Sequence, residues 1–195
     1  HINESAEEDE LFREGTGSIA EFYSRTASLD YFNPSGKSSL ETVLDTLKGQ
    51  SPLLLVHNTY LLEESISNAL ELRDNIYWCF CPNANRYIEK RIPDLDLFLQ
   101  FENNITIGTD SLASNWSLSI IEELKTISSR FPDIPLSSLV KWSTINGARL
   151  LGFDDVLGSF ERGKFPGVNL LENVDLANLS LTPDTKVTPL TNGSR

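Results

Sequence analysis

Three short apolar runs, each turning polar at its end and separated by stretches of helical period, most constrain how this chain can fold. Residues 51–59 (SPLLLVHNT) are apolar through Val56 and turn polar at His57. Residues 75–82 (NIYWCFCP) are rich in aromatic and β-branched side chains and stop at Pro82. Residues 104–110 (NITIGTD) alternate β-branched residues and run out into Gly108-Thr109-Asp110. Each reads as a buried strand. The intervening sequence reads as helix. Residues 61–73 put Leu62, Ile66, Ala69 and Leu70 on one face, and residues 117–131 do the same with Leu118, Ile121, Leu124 and Ile127. Residues 94–102 form a shorter helix opened by Pro93, and residues 136–151 a longer one capped by Gly152. Strand and helix alternating at roughly 23 to 29 residues is the rhythm of a parallel sheet or barrel, so the expected class is α/β.

The flanks differ. Residues 7–25 read as helix interrupted by Gly15 and Gly17, followed by a turn at Asn33-Pro34-Ser35-Gly36. After Gly152 the helical period vanishes, and residues 158–171 and 174–190 carry β-like runs with Gly, Pro and Asn, the start of an all-β appendage. A length of 195 residues with 39 % apolar side chains suits one domain, or one and a fraction, with a sizeable core. The 28 acidic against 16 basic residues, net −12, argue against nucleic acid as a partner, because phosphate binding needs a basic patch. No apolar run approaches the ~20 residues of a membrane span, so no membrane partner is expected. Cys79 and Cys81, one residue apart, are poorly spaced for a disulfide and too few for a metal site. They read as strand residues of a protein in a reducing, cytoplasmic compartment. The chain opens on a histidine, without initiator methionine or signal peptide, and so reads as a segment of something longer.

Position singles out the chemistry. Active sites of parallel α/β barrels lie at the C-terminal ends of the strands. His57 follows its apolar run directly, Asp110 ends the Gly108-Thr109-Asp110 run-out of the third, and His1 with Glu4 fits a third strand end. Each has an ordinary alternative. Aspartate after a strand often caps a helix, a histidine there is often structural, and His1 could be merely a terminus. Glu4 could belong to a solvated acidic face with Glu7, Glu8, Asp9 and Glu10. The spacing alone leaves these open. The frame G-x-x-x-x-G-K at 158–164 is a decoy. Phe165 stands where a magnesium-binding hydroxyl belongs, and Pro166-Gly167 forbids the helix that would cradle phosphate.

Taken together, HINES at 1–5, LVH at 55–57, CPNAN at 81–85, GTDSLASN at 108–115, TINGARLLG at 144–152 and GSFERGK at 158–164 resemble the amidohydrolase superfamily. Within it they resemble the aminohydrolase branch of S-adenosylhomocysteine/methylthioadenosine deaminases, guanine deaminases and triazine chlorohydrolases. The likeness runs from His1 to about residue 171, and GTDSLASN and TINGARLLG are its most specific parts. It implies the C-terminal half of a distorted (β/α)8 barrel over residues 1–155, then part of a small β-sandwich over 156–195. It also implies one divalent metal, zinc before iron.

Carried over residue by residue, His1 is a metal ligand and Glu4 the acid that protonates a ring nitrogen of the substrate. His57 contacts the metal-held water or shuttles its proton, and so touches substrate too. Asp110 ligates the metal and takes the proton from the water, and Asn85 shapes the substrate pocket. The implied activity is hydrolytic deamination of a small nitrogen heterocycle, an aminopurine or nucleoside, with release of ammonia. The same residues suit a hydrolase cleaving another C–N or a C–Cl bond, and a barrel that has lost its metal is the non-catalytic alternative. The family's H-x-H pair has no counterpart here, since both histidines are already assigned, so this stretch alone is expected to be inactive. Dimers or tetramers are common in the family, which makes a homo-oligomer a family expectation.

Overall fold

The computed structural model describes residues 1–26, 30 and 32–191. Along the chain run helices α1 (Glu7–Glu14), α2 (Gly17–Ser24) and α3 (Ser39–Thr46), then strand β1 (Leu53–Val56) and helix α4 (Glu63–Leu72). Strand β2 (Ile76–Phe80) leads into α5 (Pro82–Ile88), and a 3₁₀ segment (Leu95–Asn104) leads into β3 (Ile105–Ile107). Helices α6 (Ile120–Arg130), α7 (Leu136–Trp142) and α8 (Ile145–Leu151) follow, and β4 (Val168–Glu172) and β5 (Lys186–Thr191) close the described chain.

The fold is α/β. Strands β1, β2 and β3 pair in parallel in that order, with Leu55 opposite Trp78 and Trp78 opposite Ile105. On the other edge of β1, Ile2 continues the sheet by one parallel bridge. Its N–H donates to the Val56 carbonyl and its carbonyl accepts from Asn58, each at 3.0 Å. Helices pack on one face of the sheet, where Leu55, Ile76, Trp78, Phe80 and Ile105 are buried against Ile66, Ile127, Leu139 and Trp142, whereas Leu54 on the other face is exposed. Trp78, Phe80 and Phe98 meet edge-on in the core, with ring centroids 5.2 and 4.9 Å apart. Burying such side chains contributes about 1.5–3 kcal/mol each. β4 and β5 form a separate antiparallel pair with a bulge at Val168/Asn169. That pair accords with β-like runs after Gly152, and residues 192–195 of the expected appendage lie outside the described residues.

The interruption foreseen at Gly15 and Gly17 is real: Gly15 adopts φ 73° and ends α1 by donating to the Leu11 carbonyl. Other details correct the sequence reading. Leu62 and Leu118 are 68 % and 61 % exposed, because both precede the first helical turn and the helical period does not govern them. The helix expected over 136–151 is two helices, broken at Ser143 and Thr144. Their hydroxyls donate back to the Leu139 and Val140 carbonyls (2.9 and 2.6 Å), competing with the helical ladder. The break turns Asn146 into the core, where its amide donates to the Glu102 and Ile105 carbonyls at 2.8 and 2.7 Å. The stretch at 94–102 is a kinked 3₁₀ helix capped by Asp94, which accepts from Asp96, rather than an α-helix opened by Pro93. Helix α3, held by a Ser38–Glu41 capping box, and helix α5 were legible in no periodic pattern.

Candidate functional site

Four of the residues singled out by position meet at one end of the sheet. His57 follows β1 with φ 78°, and its ring is fully buried. Asp110 lies three residues past β3, also in the left-handed region at φ 55°. Non-glycine residues held there cost of order 1–3 kcal/mol, and such strain concentrates where geometry serves a site. The His57 and His1 rings pack edge to face at 4.4 Å, with His57 Nε2 3.1 Å from His1 Nδ1. One Glu4 carboxylate oxygen lies 3.5 Å from His1 Nδ1 and 3.6 Å from His57 Nε2. Glu4 therefore faces the histidine pair and is not part of a solvated acidic face.

The neighbouring acids hold this arrangement. Glu8 accepts the Asn3 and Glu4 N–H groups at 2.9 and 3.0 Å, one on each carboxylate oxygen. Asp9 accepts from the Asn3 side chain and the Ser39 N–H at 3.0 and 2.9 Å. Asn3, buried at φ 46°, receives a bond from the Ser39 hydroxyl and accepts Tyr60 N–H on its carbonyl. The turn carrying Glu4 is thus tied to α1, α3 and the loop after β1. Sequence reasoning missed Glu8 and Asp9, because their partners are backbone groups that no pattern displays.

On the other side, Asp110 accepts a short hydrogen bond from the Ser114 hydroxyl, which also donates to the Ser111 carbonyl. Asp110 caps no helix; α6 begins only after Ser119. The amide of Asn115 donates to the Thr109 carbonyl and to Glu123 Oε1, both at 2.7 Å. Glu123 Oε2 accepts the Asn83 N–H at 2.8 Å, and burial pushes its carboxyl above the ordinary glutamate range. Glu123, too, was missed. Its signal was a carboxylate on the buried stripe of α6, beside Leu124 and four residues before Ile127.

Asn85 lies in α5, fully buried, and its side chain donates to Thr59 Oγ1 at 2.6 Å, joining α5 to the loop after β1. Beneath the Asp110 loop, Cys79 and Cys81 are free and buried. Cys81 donates to Cys79 and is pushed up by that bond and by burial, while Cys79, accepting it, is lowered. Their sulfurs fill the space beside Gly108: a Cβ there would sit 3.0 and 3.1 Å from them. In the 158–164 turn, Lys164 pairs with Glu161 at 2.6 Å instead of facing a phosphate cradle.

The donor set suits a metal. One ligand atom each from His1, His57 and Asp110 lie within 4.8 Å of one another. Two nitrogen or oxygen ligands at 2.0–2.2 Å from one ion are at most about 4.4 Å apart, so only slight closure is needed. His57 Nε2 is the ring nitrogen turned toward His1 and Glu4. Imidazole nitrogens with a carboxylate are donors for zinc or iron.

The amidohydrolase family model matches residues 1–191. A 5-methylthioadenosine/S-adenosylhomocysteine deaminase of Teredinibacter turnerae is 30 % identical over 191 residues, covering 94 % of this chain and 38 % of that protein. The crystal structure of Helicobacter pylori aminofutalosine deaminase superposes with a TM-score of 0.66 at 27 % identity, over 83 % of this chain and 40 % of that one. An adenosine deaminase from Xanthomonas campestris, solved with bound zinc, gives 0.62 at 26 %, over 84 % and 34 %. The chain thus spans between a third and two-fifths of the length of these relatives. With a family match over nearly its whole length, the chain belongs to the amidohydrolase family.

Proposed function

We propose that this chain supplies the second half of a (β/α)8-barrel deaminase, residues 1–155, with residues 156–195 contributing part of a β-sandwich. The reaction is hydrolytic removal of the exocyclic amine from an adenosine-like nucleoside or aminopurine. The observation that carries this reading is the convergence of His1, Glu4, His57 and Asp110 at the C-terminal end of a parallel sheet. The kinship with deaminases of methylthioadenosine, S-adenosylhomocysteine and adenosine supports it. The activity is assigned to the polypeptide that carries the remaining strands, because the H-x-H pair of the family is not among these 195 residues.

His1 and Asp110 would hold the divalent cation, with His57 beside them. When bound, such a cation supplies a nucleophile at neutral pH by lowering the pKa of water to about 7. Asp110 takes the proton of the attacking water and returns it to the departing amine. Glu4 would act as the acid toward the ring nitrogen next to the amine-bearing carbon, so that the electrons of the broken C=N bond settle on a neutral atom. The same carboxylate would take back the remaining hydroxyl proton as the C–N bond breaks and the C=O bond forms. His57, buried and fixed through its backbone N–H to the Cys79 carbonyl (3.0 Å), holds the water oriented and carries its proton between positions. Asn85 shapes the pocket wall by bracing Thr59. A positioned acid or base of this kind contributes typically 10²–10⁴-fold.

The test is elemental analysis of the full-length protein, wild type and Asp110→Ala, with ammonia release from methylthioadenosine, S-adenosylhomocysteine, adenosine and guanine. About one zinc or iron per chain, lost in the variant together with ammonia release, is the expected result. A wild type that takes up no zinc would leave a barrel retained for binding, and one that binds zinc yet hydrolyses a chloro or other C–N substrate would move the reaction within the family.

A further inference from the structure

Glu123 is a fully buried carboxylate that makes no contact with the His1–His57–Asp110 cluster, and burying a charge is costly unless its bonds return the cost. Its two oxygens are divided between two segments that both flank the site. One takes the Asn83 N–H at the start of α5; the other takes the Asn115 amide. That amide's nitrogen also donates to the carbonyl of Thr109, the residue from which the chain turns into Asp110 at φ 55°. Three residues along α6, Thr126 donates to Asn83 Oδ1 at 2.7 Å, so one helix grips α5 twice and the Asp110 loop once.

We infer that Glu123 is a positioning residue: through Asn115 and Thr109 it locks the left-handed turn that aims Asp110, and it ties that turn to α5. A buried methyl or methylene would pack as well and require no partners. Only a group with two acceptors serves two donors lying on opposite sides, one from each segment. A hydrophobic residue there would leave the Asn83 N–H and half of the Asn115 amide unpaired, and a glutamine would set its own NH₂ against one of them. The inference rests on Asp110 being a working residue of the proposed site, but its first readout does not.

The experiment compares full-length wild type with Glu123→Gln, Asn115→Ala and Thr126→Val. Amide hydrogen exchange is followed over residues 109–115, and zinc affinity is measured by competition with a chromophoric chelator. Glu123→Gln and Asn115→Ala should each speed exchange over 109–115 by about tenfold or more while leaving α4 unchanged. Each should also weaken zinc binding by about 10–100-fold, the usual effect of losing a group that orients a ligand. Where kcat can be read it should fall similarly, with KM within about threefold. Thr126→Val, which removes that hydroxyl's bonds to Asn83 and Arg86 but leaves both Glu123 bonds in place, should leave zinc affinity within about twofold. A folded Glu123→Gln with wild-type exchange over 109–115 overturns the inference whether or not the protein binds zinc. Should that variant not fold, Asn115→Ala carries the same test from the loop side. A wild type that binds no zinc but shows the expected exchange refutes the proposed function and leaves the lock standing.

Discussion

The amide of Asn146 offers a quantitative test of how β3 is held beneath Asp110. Its nitrogen donates to the Glu102 and Ile105 carbonyls at 2.8 and 2.7 Å in a fully buried setting, while its oxygen has no partner. Two such bonds contribute about 0.5–1.5 kcal/mol each, and leaving a carbonyl unsatisfied costs toward the upper end. Asn146→Ala should therefore lose about 2–4 kcal/mol, the small cavity included. Asn146→Asp should lose more at pH 7, because an ionised oxygen then faces two carbonyl oxygens. Burial and repulsion raise the new carboxyl's pKa in the folded state above its unfolded value near 3.9. The folded state then binds the extra proton, so the penalty is absent below the unfolded pKa and grows as pH rises, at up to 1.36 kcal/mol per pH unit. Urea unfolding of the full-length variants against wild type, from pH 4.5 to 7.5, measures this directly. A difference between Asn146→Asp and wild type that stays flat across that range would refute the reasoning, since no buried charge would then be opposed by the carbonyls.

Other outcomes follow from the same structure. Gly108→Ala should destabilise by about 1–3 kcal/mol, because its methyl would meet both cysteine sulfurs at about 3 Å, and thermal unfolding of the variant reads this. Glu8→Gln should weaken the clamp on the Asn3 and Glu4 amides and lower kcat with KM little changed; unchanged kcat would show that Glu4 needs no such support. Glu41 is held below the ordinary glutamate range by the Ser38 hydroxyl and N–H, and Glu102 by Lys141. Both contribute stability that is present above the unfolded pKa and lost as pH falls through the lowered folded value. Glu41→Gln should therefore flatten the acid limb of the stability profile, as read by unfolding midpoints between pH 2 and 6. Cys79 and Cys81, free and buried, should resist alkylation in the folded protein and react once urea unfolds it.

Much of this architecture is local enough to read along the chain. The runs that became β1, β2 and β3 are short and mostly apolar, and they end in polar residues or proline. Their alternation with helices is a one-dimensional pattern that survives folding. His57 and Asp110 could be singled out because a polar residue where an apolar strand ends is visible without coordinates. The errors share a cause. Leu62 and Leu118 match the helical period but precede the helices they were assigned to, and periodicity does not mark where a helix starts. The break at Ser143–Thr144 brings Asn146 to the Glu102 and Ile105 carbonyls, more than forty residues away, where no periodic pattern would place it.

The sequence by itself determined which side chains stand at strand ends and, through its likeness to a family, which roles to expect of them. Only the tertiary structure decided that His1 and His57, 56 residues apart, come within 3.1 Å, and that Glu4 turns toward them rather than to solvent. It alone set Glu8, Asp9 and Glu123 to work on backbone amides. The physical reason is that backbone donors and carbonyls are identical at every position. A carboxylate's partner is therefore chosen by which segments the packed sheet and helices bring beside it, a property of the whole fold rather than of any stretch of it.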